Sequence, residues 1–215
     1  RQIEASTQQL IWLDSLVKSR FVEMFGVGDF PRFRLDEVAD VQGGLTKNSH
    51  REALPIQLPY LRVANVGPTG GVDTSEMLSI GLTSVEARKT LLKADDLLFV
   101  EGNGSKDQIG RAAIWNGSID PCVHQNHLIR VRLHDNVLPI FALAFFSSSV
   151  GRRQITDKAA STSGLFTLST GKIKSLELPV PPLALQQEFA AFVAQVDKSR
   201  FAYIWSRTKS VEQAL

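Results

Sequence analysis

Cysteine, net charge and long apolar runs are all scarce in this chain. The one cysteine, Cys122, has no partner for an internal disulfide, which excludes a disulfide-held fold and fits a reducing cytoplasm. The longest apolar stretch, Val137 to Phe146, falls well short of the roughly 18 residues a membrane helix needs, so it reads as a buried helix and the chain is expected to have no membrane partner. The formal net charge is only +2, which permits a nucleic-acid partner without pointing to one. The amino end (Arg1, Gln2, Ile3, Glu4) is polar and lacks an initiator Met. It is therefore expected to carry no secretory signal and to belong to a fragment or a processed form. What is present is ordinary: a hydrophobic share of 43% suffices for a real core.

The charge that matters is local. Arg152, Arg153, Lys158, Lys172 and Lys174 cluster around a single acid, Asp157. Such a cluster is a solvated loop or a weak electrostatic footprint for a polyanion.

Three parts are expected. Residues 1–26 read as a helix: Ile3, Leu10, Val17 and Met24 recur every seven positions with Leu13 and Leu16 beside them, the repeat of a coiled-coil seam. Ser6 and Arg20 interrupt its second row, and Gly26 and Gly28 end it. Residues 30–180 alternate short β-type runs with Gly and Pro punctuation. Strands are expected at Tyr60–Val66, Asp96–Val100, Arg111–Trp115, His127–Leu133 and Ile173–Pro179, and helices at Ser84–Leu92 and Pro139–Thr156. Residues 181–215 begin at Val180-Pro-Pro182 and continue without Gly or Pro. Their stripe of Phe189, Phe192, Val193, Val196, Tyr203, Ile204 and Val211 marks a long amphipathic helix, part of which should project from the domain to pair elsewhere. The expected fold is α+β, one mixed α/β domain flanked by long, coiled-coil-like amphipathic helices.

Catalytic signatures are absent. Glu101-Gly-Asn-Gly-Ser-Lys-Asp107 has a Gly-x-Gly core but lacks the Gly-Lys-Ser/Thr ending of a phosphate loop, and a strand follows it where a helix would be needed. Cys122, His124 and His127 are close in sequence, but they lack the second ligand cluster of a zinc site, and on a strand His127 would face away from the other two. No Gly-x-Ser-x-Gly elbow or paired-carboxylate motif occurs. No cofactor and no metal are expected.

An ordered set of local sequences carries a resemblance. Phe33-Arg-Leu-Asp-Glu-Val-Ala-Asp40 and Gly43-Gly44 are followed by Leu61-Arg-Val-Ala-Asn-Val66. Leu92-Lys-Ala-Asp-Asp-Leu-Leu-Phe-Val100, Gly102-Asn-Gly-Ser-Lys-Asp107, Gly110-Arg-Ala-Ala-Ile-Trp115 and Gln125-Asn-His-Leu-Ile-Arg-Val131 come next. Ser163-Gly164, Leu168-Ser-Thr170, Ile173-Lys174, Leu178-Pro-Val-Pro-Pro-Leu183 and Gln186-Gln-Glu-Phe189 complete it. This order resembles a target recognition domain with its spacer helix from the specificity subunits of type I restriction-modification enzymes, and it covers nearly the whole chain. Such a subunit has two recognition domains joined by antiparallel helices. Each domain reads half of a split DNA site, while the helices set the spacing and dock the modification subunits. The resemblance therefore implies double-stranded DNA, modification (methyltransferase) subunits and the restriction subunit as partners, in the cytoplasm. It implies no catalytic role for this chain, since the adenine methyltransferase signature Asn-Pro-Pro-Tyr is absent.

The departure is that only one recognition domain is present. The chain is either the carboxy-terminal half of a longer subunit, with residues 1–26 as the end of its central spacer helix, 30–180 as the recognition domain and 181–215 as the distal spacer helix, or a natural half-length subunit that forms a homodimer through its helices. A helical protein-interaction scaffold without specific DNA affinity is the alternative reading. Base edges are read by Arg, Asn and Gln side chains, and phosphates are held by cations. The candidate base and groove contacts are Arg62, Asn65, Asn103, Ser105, Lys106, Arg111, Gln125 and Asn126. The candidate phosphate contacts are Lys47, Arg152, Arg153 and Lys158. Asn65, Asn103 and Asn126 also suit turns, where Asn bonds its own backbone.

Overall fold

The computed structural model describes residues 2–68, 70–162 and 164–212; the side chains of Ile3, Ser6 and Val211, and the whole of Ser163, lie outside what is described. The chain divides into two units, one formed by residues 1–30 with 181–215 and the other by residues 31–180.

The first unit pairs helix α1 (Gln2–Phe25) with helix α7 (Leu183–Glu212). The pairing is antiparallel, since Arg20 bonds Glu188 at 2.7 Å while Arg200 bonds Asp14. Phe21, Phe25, Phe189, Val193 and Val196 are buried along the seam, and Phe189 meets the rings of Phe21 and Phe25 edge-on at 5.5 and 5.7 Å. Arg20, which interrupts the apolar repeat, is tolerated because its guanidinium lies over the Phe192 ring while reaching Glu23 and Glu188. The register leaves Trp12, Leu16, Phe201, Ile204 and Trp205 exposed, so Leu16 and Ile204 fall off the face that their spacing suggested.

The second unit is built on a four-stranded antiparallel sheet in the order β2 (Ala39–Gly43), β9 (Leu128–Leu133), β5 (Leu97–Val100), β7 (Ala112–Ile114). Strand β5 lies in the middle of this sheet and all four of its residues are buried, which is why it reads as a continuous apolar run and does not alternate. A second sheet has the order β4 (Leu78–Leu82), β3 (Ile56–Leu61), β8 (Val123–His124), with β3 and β8 parallel. A third joins the hairpin β10 (Ala160–Thr162) and β11 (Leu165–Thr167) to β6 (Gly102–Asn103). The ends of the unit are tied by β1 (Arg32–Arg34) running antiparallel to β12 (Glu177–Pro179). Leu61, Leu98, Val100, Trp115, Cys122 and Leu128 form one core cluster.

Helix α3 (Ser84–Thr90) opens on a capping box between Thr83 and Glu86. The helix expected over Pro139–Thr156 is two helices, α4 (Pro139–Ser147) and α5 (Ser149–Lys158). Ser148 takes an extended conformation between them, and its Oγ accepts from Gly151 N at 3.3 Å, capping α5. On either side of the break, α4 buries Phe141, Ala142, Phe145 and Phe146, and α5 buries Gly151 and Ile155. The strand expected at Ile173–Pro179 shortens to β12, because Ser169 caps a short helix, α6 (Thr170–Lys174), by accepting from Lys172 N. The strand expected at Tyr60–Val66 stops at Leu61, where Val63–Asn65 form a 3-10 turn. The remaining helix, α2 (Leu35–Val38), packs beside β2.

Candidate nucleic-acid interface

One end of the four-stranded sheet collects most of the polar candidates. Strand β2 leaves the sheet at Gly43, opposite Ile129, and β5 leaves at Val100, opposite Leu128, so the segments Gly44–Lys47, Gln125–His127 and Glu101–Lys106 emerge side by side. Backbone bonds fix the contact. Leu45 N donates to His124 O and Asn126 N to Leu45 O, each at 2.9 Å. Gly44 is required there, because a Cβ would collide with the carbonyl oxygens of His124 and Gln125. Strand β3 ends on the same margin, as Gln125 N donates to Leu61 O at 2.9 Å.

The side chains gathered there divide by what already engages them. Asn65 is only 4% exposed. Its Oδ1 accepts from Arg62 N at 2.8 Å and its Nδ2 donates to Asp73 O and Glu76 O. Reaching a base would leave Arg62 N and Asp73 O unpaired. Arg111 donates to Val66 O and Val63 O, each at 3.2 Å, and holds the same turn from the other side. Arg62 donates to Glu76 O at 3.0 Å, with its Nε buried and without a partner. Arg152 reaches Ile109 O at 2.7 Å and Asp107 O at 3.2 Å, and burial lowers its pKa. These groups hold loops in place, and the loops carry the rest.

On those loops and on α5, Lys47, Ser105, Lys106 and Arg153 are exposed, and Asn103, Gln125, Asn126 and Lys158 are half-buried. The Lys47 loop is braced by Arg51, whose guanidinium donates to Thr46 O at 2.6 Å, Gly81 O at 3.0 Å and Glu86 Oε1 at 2.8 Å. That pairing, with the Thr83 backbone, pulls the Glu86 carboxyl down to about 2. In the Glu101–Asp107 loop, Asn103 Oδ1 accepts from Ser105 N and Ser105 Oγ accepts from Asp107 N, so the Gly-x-Gly segment is a polar turn and no helix follows it. Arg153 and Lys158 lie on α5, whose Arg152 bonds tie it to this loop.

A second pair at this edge was not singled out from sequence. His127 Nδ1 and Glu101 Oε2 stand 3.1 Å apart, both partly exposed. From sequence, His127 reads as a strand start and a possible metal ligand, and Glu101 as the start of a turn. Their pairing depends on the bond between Glu101 N and His127 O, a contact across strands that neither local sequence announces.

Cys122 and His124 face the interior. Burial raises the Cys122 thiol to about 11, leaving it protonated and unreactive at neutral pH. Burial, with Arg130 nearby, lowers His124 to about 4, and its Nδ1 is 3.1 Å from Leu128 O. Among the described residues, no three His, Cys, Asp or Glu side chains gather where they could hold a metal ion. Among them, too, no helix is long and apolar enough to cross a membrane.

The chain thus combines a mixed α+β unit that carries a polar sheet edge with a unit of two long paired helices. The chain matches the type I restriction modification DNA specificity domain over residues 28–213 and belongs to that family. It is 30% identical over 183 residues to the type I restriction enzyme EcoKI specificity subunit of Escherichia coli K12, covering 83% of this chain and 37% of that protein. It is also 30% identical over 179 residues to the StySPI specificity subunit of Salmonella potsdam, with the same two coverages. The chain thus spans a little over a third of the length of these curated relatives. Among solved structures, the HsdS subunit from Thermoanaerobacter tengcongensis shares the fold with a TM-score of 0.60 at 16% identity, over 94% of this chain and 48% of that one. The S subunit from M. genitalium aligns with a TM-score of 0.54 at 15% identity, over 97% of this chain and 55% of that one.

Proposed function

We propose that this chain reads one half of a bipartite DNA site as the non-catalytic specificity component of a type I restriction-modification enzyme. The observation that carries the proposal is the convergence of Lys47, Asn103, Ser105, Lys106, Gln125 and Asn126, from three separate segments, on one edge of the sheet. Asn103, Gln125 and Asn126 suit base edges, whereas Lys47, Lys106, Arg153 and Lys158 suit phosphates. Arg62, Asn65, Arg111 and Arg152 serve this surface by positioning its loops. The partners are double-stranded DNA, the modification and restriction subunits, and, if the chain is a half-length subunit, a second copy through the helices. The exposed Trp12, Phe201 and Trp205 on α1 and α7 support such docking. The working compartment is the cytoplasm.

The test is selection from a random duplex pool at low salt, with and without modification subunits. Enrichment of a short fixed motif, with affinity falling steeply as salt rises, is expected. The helical-scaffold reading rests on the same exposed aromatics and predicts partner binding with no enriched motif. That outcome would overturn the DNA reading.

A further inference from the structure

On the interface reading above, an acid sits where a polyanion would lie. Glu101 occupies the middle of the sheet edge, between the Gln125–His127 turn and strand β11. Its N–H donates to His127 O at 2.9 Å and its carbonyl accepts from Leu168 N at 2.8 Å, so its backbone is held on both sides. Its side chain is 33% exposed. The other carboxylate of this loop, Asp107, has the charge of Arg152 beside it. The Glu101 carboxylate is paired only with the exposed imidazole of His127 among the described residues. Oε2 faces Nδ1 of that ring, and no described residue donates to Oε1.

A carboxylate pinned on a DNA-facing edge repels phosphate, and the base-edge group that suits it is an exocyclic amine. The major groove offers two such amines, adenine N6 and cytosine N4; adenine sets the acceptor N7 beside its amine, which a carboxylate cannot satisfy, so the amine that suits Glu is cytosine N4. We infer that Glu101 is a specificity-determining residue that accepts a hydrogen bond from a cytosine amino group through Oε1. His127 is its positioning residue, with Nδ1–H donating to Oε2 so that the carboxylate keeps one rotamer. This inference rests on the DNA-interface reading and adds to it one named base.

The experiment compares the full chain, Glu101→Gln and His127→Ala, each with modification subunits, by pool selection followed by titration on matched duplexes. The native chain should enrich a motif with a fixed cytosine. Glu101→Gln should lose discrimination at that one position by about 5- to 150-fold and leave the other positions unchanged. His127→Ala should relax the same position, whereas a merely structural role would weaken all positions alike. It also carries the test if Glu101→Gln does not fold. If both variants keep the native motif unaltered, with Glu101→Gln binding every sequence more tightly, the carboxylate is a bystander and the inference is wrong. If the native chain itself enriches no motif, the DNA reading fails and this inference fails with it.

Discussion

The two ends of the four-stranded sheet treat charge in opposite ways. At the lower end, Asp96 is buried ahead of β5, and its carboxylate accepts from Arg132 Nε and Nη2 and from Lys93 N, all at 2.7 Å. Arg130 and Arg132 both donate to Leu91 O, and Arg130 donates also to Lys89 O, so the two guanidinium groups satisfy the carboxy-terminal carbonyls of α3. At the upper end, polar side chains stand on loops with much of their hydrogen-bonding capacity unused. A surface meant to fold inward leaves few such groups unpaired, Arg130 Nε being one at this end, whereas a surface meant to meet a polar ligand must keep them available. The lower end is therefore scaffold, and the upper end is the side on which binding is proposed.

This contrast is broken most severely from below. Replacing Asp96 with Ala removes the carboxylate that pairs with Arg132 and leaves Arg130 beside Arg132 with only the charge of Asp40 to offset it. It should lower unfolding stability by about 3–5 kcal/mol, measured by denaturant titration. Loss of less than about 1 kcal/mol would show that the network is not needed by the fold.

Asn65 comes next, because it lies at the upper end but is engaged like the lower one. Asn65→Ala should cost about 1–3 kcal/mol of stability by orphaning Arg62 N and the Asp73 carbonyl, while Glu76 O keeps its bond from Arg62. Any DNA affinity should fall evenly across base positions. A base-specific change with unaltered stability would make it a reader instead.

Acid should sharpen the difference in two windows. His124 is held neutral with a pKa of about 4, below its ordinary 6.5, so its contribution to stability declines as pH falls from 6.5 towards 4. Glu86, lowered from 4.5 to about 2, stabilises the fold above 4.5 and loses that effect as pH falls towards 2. Unfolding titrations of the native chain, His124→Gln and Glu86→Gln at neutral pH, pH 5 and pH 3.5 should show each variant flattening its own window.

The smallest effects on the fold belong to the exposed loop. Lys106→Ala should change stability by less than about 0.5 kcal/mol. It should also reduce the salt dependence of DNA binding by about one phosphate contact without altering the preferred bases.

Much of the fold was legible locally. The seven-residue spacing through Leu10, Val17 and Met24 specifies a helix that wants a helical neighbour, and Leu97–Val100 specifies a buried strand. The errors lie where one side chain redirects the backbone. Ser148 divides a helix that looks continuous, Ser169 converts part of an expected strand into a helix, and Asn65 ends a strand early. Each is a local polar bond competing with the regular ladder, and only the surrounding packing decides which wins. The candidate residues were legible as types and not as roles. Asn65 and Gln125 look equally fit to read a base, yet one is folded into a turn and the other stands half-exposed at the sheet edge.

By itself, the sequence determined the α+β class, the flanking helices and the ordered motifs of the specificity-domain family, because spacing and turn residues act over a few positions. The tertiary structure alone decided which polar groups are engaged and which remain available. That depends on contacts such as Gln125 to Leu61 and Glu101 to His127, between residues far apart in the chain whose meeting is set by sheet register.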